Sequence, residues 1–254
     1  MNCSDMPIAS ELGDTPRVSS LTCSVPLIAQ LVCGSPTRNH DFDFARIRLA
    51  QALYALGDVY TDAATNYDHV AASDFLVSYT SQVQVGDAEC AALREFLERG
   101  GRWFAMHASN SVGDNPHLPG ILGSRFITHP PYLHYRVSVA KPDDPLLEGI
   151  ASFEVDDELY VIEHSDDIEV LLETTWGGSA FGGRQFPEEV RPLMYRRTVG
   201  QGGVLYLALG HCNRPFDKPR PDAPDSPDRR GPWELPVYKE LVRRGVAWAA
   251  GHAF

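Results

Sequence analysis

The chain reads as an α/β protein with a mostly parallel sheet covered by helices on both faces, carrying an antiparallel, loop-rich elaboration in its second half. Three observations predict this. Apolar runs of strand length alternate with amphipathic helical segments through the first 107 residues, the pattern of consecutive βαβ units. The turns between these segments are short, as parallel crossovers in a compact sheet require. Between residues 124 and 200 the pattern changes to short strand-like runs broken by Pro, Gly and Asp.

The elements follow in order. "LIAQLVCG" (27–34) is a continuous apolar run ending in glycine, as expected of a strand buried on both faces. "DFARIRLAQALYALG" then places Ala45, Leu49, Ala52, Leu53 and Leu56 on one helical face, with Gly57 as its stop. "DVYTDA" and "DFLVSYT" (74–80) are the next strands. Asp87 is placed to cap the helix "AECAALREFLERGG", whose Cys90, Leu93, Phe96 and Leu97 point one way. "RWFAMH" ends at His107. "YRVSVA" and "IEVLLETT" are strands of the elaboration, and "GGVLYLALGH" (202–211) restores the buried-strand pattern. The closing helix, "ELPVYKELVRRGVAWAAG", sets Val237, Leu241, Gly245 and Trp248 on one side.

Two segments stand apart. Residues 1–24 are rich in Ser, Asp and Pro and read as a loose leader before a single domain over 25–254. Residues 214–232, "RPFDKPRPDAPDSPDRRGP", have almost nothing to bury and read as a solvated insertion, with a cover over the site or a subunit contact as the alternatives.

Composition excludes several functions. A net charge of −12 argues against a binder of nucleic-acid backbones, whose affinity is built from Lys and Arg. The 5 cysteines are scattered without a CxxC pair, so neither a disulfide framework nor a structural zinc cluster is expected. No signal peptide and no apolar stretch of the ~20 residues needed to cross a bilayer is found. A reduced, cytoplasmic setting without membrane partners is the expectation. GxSxG, Walker and GxGxxG patterns are absent, which argues against a serine nucleophile and a nucleotide cofactor. Cys212 follows His211 directly but should point the opposite way.

Ligands of open parallel sheets bind beyond the carboxyl ends of the strands. His40, His107 and His211 all fall at or just after such ends. His129 in "FITHPP" and the acidic run Asp156, Asp157, Glu158 with Tyr160 are candidates to join them. Asp156 reads as a solvated turn residue, while Asp157 and Glu158, between Val155 and Leu159, should send at least one carboxylate inward. Such a carboxylate must be paired, protonated or metal-bound. Neutral imidazoles with one carboxylate suit a divalent ion such as zinc, held by His107, His129 and His211. The same groups without metal would serve as general acid and base.

Five segments together resemble the ThuA-like (trehalose utilisation) family: "ERGGRWFAMHASNS", "LGSRFITHPP", "PDDPLLEGIASFEVDDELYVI", "VGQGGVLYLALGH" and "LVRRGVAWAAG", in family order across residues 25–252. The resemblance implies a flavodoxin-like three-layer sandwich related to class I glutamine amidotransferases. The turn that carries a catalytic cysteine in those relatives reads Met106-His107-Ala108 here, so amidotransferase chemistry is not expected. The resemblance implies an enzyme of carbohydrate utilisation, a hydrolase, isomerase or lyase acting on a sugar or keto-glycoside, with His107, His211 and Glu158 as catalytic groups. His40, Asp41, His129, Asp157 and Tyr160 would bind substrate. The partner is thus a small carbohydrate, and a homo-oligomer is compatible with the family. The family's Asp-His-Pro stands here as Asp143-Asp144-Pro145, and the 214–232 insertion is a second departure. The alternative is a non-catalytic sugar-binding or assembly protein with an open pocket lined by Trp176, Tyr160 or Trp233 and with His107 and His211 more than ~10 Å apart, too far to serve one substrate.

Overall fold

The structure, a computed structural model, describes residues 25–214 and 228–253. The proposed leader and most of the 214–232 insertion lie outside the described residues. Strand β1 (Leu27–Gly34) is followed by helix α1 (Phe42–Tyr54), strands β2 (Val59–Ala64) and β3 (Phe75–Thr80), helix α2 (Asp87–Glu98) and strand β4 (Arg102–Met106). Then come helix α3 (Leu118–Leu122) and strands β5 (Ser124–Thr128), β6 (Leu133–Val139), β7 (Phe153–Asp157) and β8 (Val161–His164). Strands β9 (Glu169–Ser179), β10 (Gln185–Val199) and β11 (Gly202–Leu207) and helix α4 (Pro236–Ala250) complete the chain.

One 9-stranded sheet runs β2-β1-β3-β4-β11-β10-β9-β6-β7, beside a 2-stranded sheet of β5 and β8. The pairings from β2 to β11 are parallel, and those from β11 to β7 are antiparallel. The fold is therefore mixed α/β, and the expectation of a mostly parallel sheet needs correcting. The antiparallel strands extend the same sheet, and half of its pairings are theirs. The cause is β10, whose 15 residues hydrogen-bond to β11 on one side and β9 on the other. Its Pro187, Pro192 and charged residues broke the periodicity in the sequence. The structure accommodates them with register shifts at Phe186/Glu189 and Pro192/Met194, as prolines in strands require.

The parallel strands β3 and β4 are almost wholly buried, which is why they read as continuous apolar runs. Helices α1 and α4 pack on each other, and α2 packs beside α3. Two local expectations shift. Helix α2 is capped by Glu89, whose Oε2 accepts from the Gly86 N–H at 2.8 Å, with Asp87 already inside the first turn. The buried stripe of α4 runs through Tyr238, Leu241, Val242, Gly245 and Val246, so Val237 and Trp248 sit at its margins. Gly245 is required there, because a Cβ would stand 2.5 Å from the Phe104 ring. Among the described residues no helix is long and apolar enough to cross a membrane.

Candidate functional site

The chain leaves β1 toward β2 on one side and returns to β3 on the other, so the loops beyond these strand ends open a crevice. The β1 loop delivers His40 and then Asp41, the N-cap of α1. The end of β4 delivers His107, the end of β11 delivers His211, and the turn after β7 delivers Glu158 and Tyr160.

His107 occupies a left-handed backbone conformation with φ of +46°. A non-glycine residue there costs about 1–3 kcal/mol and needs support from its surroundings. That support is visible. The Tyr206 hydroxyl donates to the His107 carbonyl at 2.7 Å, and His107 Nδ1 lies 2.8 Å from the Ala208 carbonyl. A carbonyl only accepts, so Nδ1 carries the proton and Nε2 presents its lone pair. That lone pair faces His40 Nε2 at 3.1 Å. Burial pushes the His107 imidazole down to about 3, with nearby His211 adding to the effect, so the ring is neutral at ordinary pH.

The three rings of His40, His107 and His211 stand with centroids 4.9, 5.0 and 5.6 Å apart. Glu158 closes the group, with Oε2 at 3.1 Å from His211 Nδ1 and 3.8 Å from His129 Nε2. Burial alone would raise the Glu158 carboxyl. The His211 hydrogen bond and charge, followed by His129 and His107, outweigh burial and hold it well below the usual carboxylate range. Tyr160 stacks on His107 with centroids 4.3 Å apart. His40, His107, Glu158 and His211, all buried, can each offer one ligand atom within 4.8 Å of the others. Two ligands of a tetrahedral zinc ion stand about 3.3 Å apart, so the His40–His107 separation fits that geometry. The hydrogen bond from His107 Nδ1 to a backbone carbonyl is the usual support for a metal-binding imidazole.

The ligand-capable set therefore differs from the expected His107, His129 and His211. His40 takes the place of His129, because the β1 loop folds directly over His107. His129 stands at the edge of the group, its Nδ1 turned to the Pro130 carbonyl at 2.8 Å and its ring against Phe181.

Asp157 and Asp41 hold the frame rather than facing the histidines. Asp157 Oδ2 accepts from Gly210 N–H at 2.8 Å, and Oδ1 accepts from His211 and Glu158 N–H groups at 3.0 and 2.9 Å. Burial raises its carboxyl to about 7 against the pull of these donors. Asp157 thereby ties the β7 turn to the β11 turn. Gly210 makes the second turn feasible. Its φ is +128°, and a Cβ there would lie 2.4 Å from the Tyr238 hydroxyl. Its carbonyl accepts from Tyr79 and Trp233.

Asp41 accepts from Phe44 N–H at 3.1 Å and forms ion pairs with Arg214 and Arg230, each at 2.8 Å. Burial would raise its carboxyl. The hydrogen bonds from Arg214, from the Phe44 N–H and from Arg230 prevail and hold it below its ordinary value. Both arginines belong to the 214–232 segment, so the feet of that insertion are anchored to the site rather than solvated.

Sequence reasoning missed Tyr79, Tyr132, Asn213, Arg214, Arg229 and Arg230. Only Asn213, two residues after His211, carried a positional signal. Trp233 is 3% exposed and packs on Tyr79 and Tyr238. Trp176 lies on β9 beneath Arg191. Trp233 lines a separate cavity of ≈ 270 Å³ with Ala52 of α1 and Tyr238 and Val242 of α4, and none of the site histidines lines it. The Cys33 and Cys212 thiols are buried and pushed up to about 12, which removes them as nucleophiles.

This assembly defines a mixed α/β protein with a histidine and carboxylate centre at the edge of its sheet. The trehalose utilisation (ThuA) family model matches residues 18–223, and the chain belongs to that family. A ThuA-like protein from Parabacteroides merdae ATCC 43184 has 16% identity and a TM-score of 0.69 over 90% of this chain and 91% of its own. A ThuA-like protein from Bacteroides uniformis ATCC 8492 has 18% identity and a TM-score of 0.63, covering 89% and 92%. A β-galactosidase from Rahnella sp. R3 has 13% identity and a TM-score of 0.58, covering 89% of this chain but 31% of that one. No curated protein sequence matches.

Proposed function

We propose that the chain is a carbohydrate-utilisation enzyme whose centre takes a divalent metal of the zinc type through His40, His107, His211 and Glu158, and that its substrate is a sugar or keto-glycoside. The observation that carries the reading is the meeting of four ligand-capable side chains from four separate strand-end loops within 4.8 Å. Family membership supports the carbohydrate class, and the strand order 2-1-3-4 of the parallel half supports a flavodoxin-like layered fold.

A bound ion of this type would supply Lewis acidity toward a carbonyl or water oxygen. His107, neutral and locked by Ala208, serves as a ligand and not as an acid. Glu158, held ionised, balances the positive charge. His129, outside the ligand set and 3.8 Å from Glu158, serves as the general acid or base toward a substrate held at the centre. The non-catalytic alternative required His107 and His211 more than ~10 Å apart, and they stand at 5.6 Å.

The test is metal analysis of purified wild type and His107→Ala, paired with turnover of keto-glycosides with and without added Zn²⁺ or Mn²⁺. The expected result is near one metal per chain in wild type, with metal and turnover both lost in the variant. Full turnover by His107→Ala would overturn the assignment.

A further inference from the structure

The cavity of ≈ 270 Å³ between α1 and α4 lies apart from the centre and has a build of its own. Ala52 with the buried Val242 and Trp233 forms an apolar floor. Arg48, Lys239 and Arg243, each about half exposed, form the rim. Their methylene stems extend the apolar wall upward while their charged heads stay at the mouth.

No carboxylate lines this cavity. Glu234 pairs with Arg48 and Lys239 at 3.6 and 3.2 Å, and Glu240 pairs with Arg243 at 2.7 Å, both from outside the lining. Glu240 is shared with Arg244, also at 2.7 Å. Four cations thus meet two carboxylates, and the positive excess faces a cavity on a chain whose net charge is −12. Exposed pairs of this kind are weak, so an incoming anion takes up the spare guanidinium and ammonium donors at little cost.

An apolar floor beneath a cationic rim fits a molecule with an apolar body and one acidic head. The volume is less than twice the about 150 Å³ that takes a benzene ring, which admits one ring with a short acidic side chain. A neutral or cationic ligand would leave the excess charge unanswered.

From the floor, hydrogen bonds run to the centre. The Trp233 indole N–H donates to the Gly210 carbonyl at 2.8 Å. The Tyr238 ring, wholly buried behind Trp233, donates from its hydroxyl to the Leu209 carbonyl at 3.2 Å. Leu209 and Gly210 immediately precede His211, and Asp157 holds the Gly210 N–H. On the α1 side, Arg48 stands over the Phe44 ring, which packs on Trp233. An occupant that touches Trp233 therefore bears on the turn that carries His211.

We propose that this cavity is an effector site for a small aromatic carboxylate, whose occupancy is felt at His211 through Trp233 and Gly210. Neither the ligand class nor the coupling requires a bound metal, so the effector site stands apart from the reading of the centre.

Calorimetric titration of the full chain with phenylacetate, phenylacetamide and phenethylamine reads the site. The imidazole C–H resonances of His211, assigned with His211→Gln, read the coupling. Phenylacetate should bind about 10-fold more tightly than the amide, the share of one charge-assisted hydrogen bond, and the amine least of all. Lys239→Ala combined with Arg243→Ala should remove the difference between acid and amide and leave amide binding unchanged. Ala52→Leu, which fills the floor, should weaken both. Phenylacetate should shift the His211 resonances in wild type and not in Ala52→Leu. The two rim cations are about half exposed, so their double variant keeps the test open even where Ala52→Leu folds poorly. No binding of phenylacetate, equal binding of all three probes, or affinity unchanged in both variants would overturn the proposal. So would binding that is kept in Ala52→Leu and lost in His107→Ala, which puts the anion on the centre. Binding that leaves the His211 resonances unmoved would overturn the effector role.

Discussion

Asp41→Asn isolates the contact that fastens the insertion to the site. The asparagine oxygen still caps α1 at Phe44, so helix capping is conserved. It can accept from one of the two arginines, but its amide then meets the other, donor against donor. One charge-assisted hydrogen bond is lost, worth about 1.5–3 kcal/mol, and the second loses its charge assistance, about 1 kcal/mol more. Arg214 and Arg230 are 34% and 23% exposed, so solvent screening reduces the sum to about 2 kcal/mol. For a chain of this size that is a Tm lower by roughly 4–8 °C. The sign with pH follows from the lowered carboxyl of Asp41. The folded state favours the ionised form, so its contribution is complete above the unfolded value of about 3.9 and disappears as pH falls through the lower folded value. Thermal unfolding of both proteins at about pH 7, 5, 4 and 3, values that bracket the titration of a carboxyl, should show a constant gap from about pH 7 to 5 that then narrows. A gap below about 0.5 kcal/mol at pH 7, the scatter of an ordinary surface substitution, would refute the anchoring role. So would a gap that persists unchanged at pH 3.

The remaining expectations are shorter. His40→Ala should lose metal as His107→Ala does, while His129→Ala keeps it and loses turnover; elemental analysis with an activity assay separates them. Gly210→Ala forces a side chain into the Tyr238 hydroxyl from a left-handed backbone, and should destabilise by at least about 3 kcal/mol in urea unfolding. In metal-free protein, burial of His107 lowers its imidazole to about 3, so it contributes stability above the unfolded value of about 6.5 and loses it as pH falls toward 3. His107→Gln should flatten the pH dependence of the unfolding free energy across that window by up to one proton.

The parallel half was legible because strands buried on both faces must be apolar throughout, and because such sheets place their ligands beyond strand ends. That single rule selected His40, His107 and His211 from the sequence, and the structure brings their rings within 5.6 Å. The antiparallel half was less legible. A long strand such as β10 can carry prolines and charges where bulges interrupt its ladder, which hides its length. The pairing of Asp41 with Arg230 spans 189 residues and has no local signature. The exchange of His129 for His40 among the ligand-capable groups was likewise set by loop path, which residue spacing does not encode.

The division of the sheet explains how one scaffold can hold a fixed centre and a variable surround. His40, His107 and His211 hang from strands β1, β4 and β11, whose backbones are locked in the parallel half, and Asp157 ties Glu158 to the same frame. The groups around the cavity that opens beside Glu158 and His211 come from elsewhere. Phe181 rides on the hairpin of the antiparallel half, and Arg229 stands at the foot of the insertion. A change in the hairpin tip or the insertion can therefore alter what the cavity holds without moving an imidazole. Asp41 is one coupling between the two regions, since it caps α1 next to His40 while gripping both feet of the insertion. The feet of the insertion are thus tied to the start of α1 beside His40 through one carboxylate, and Asp41→Asn should lower the Tm while metal remains bound.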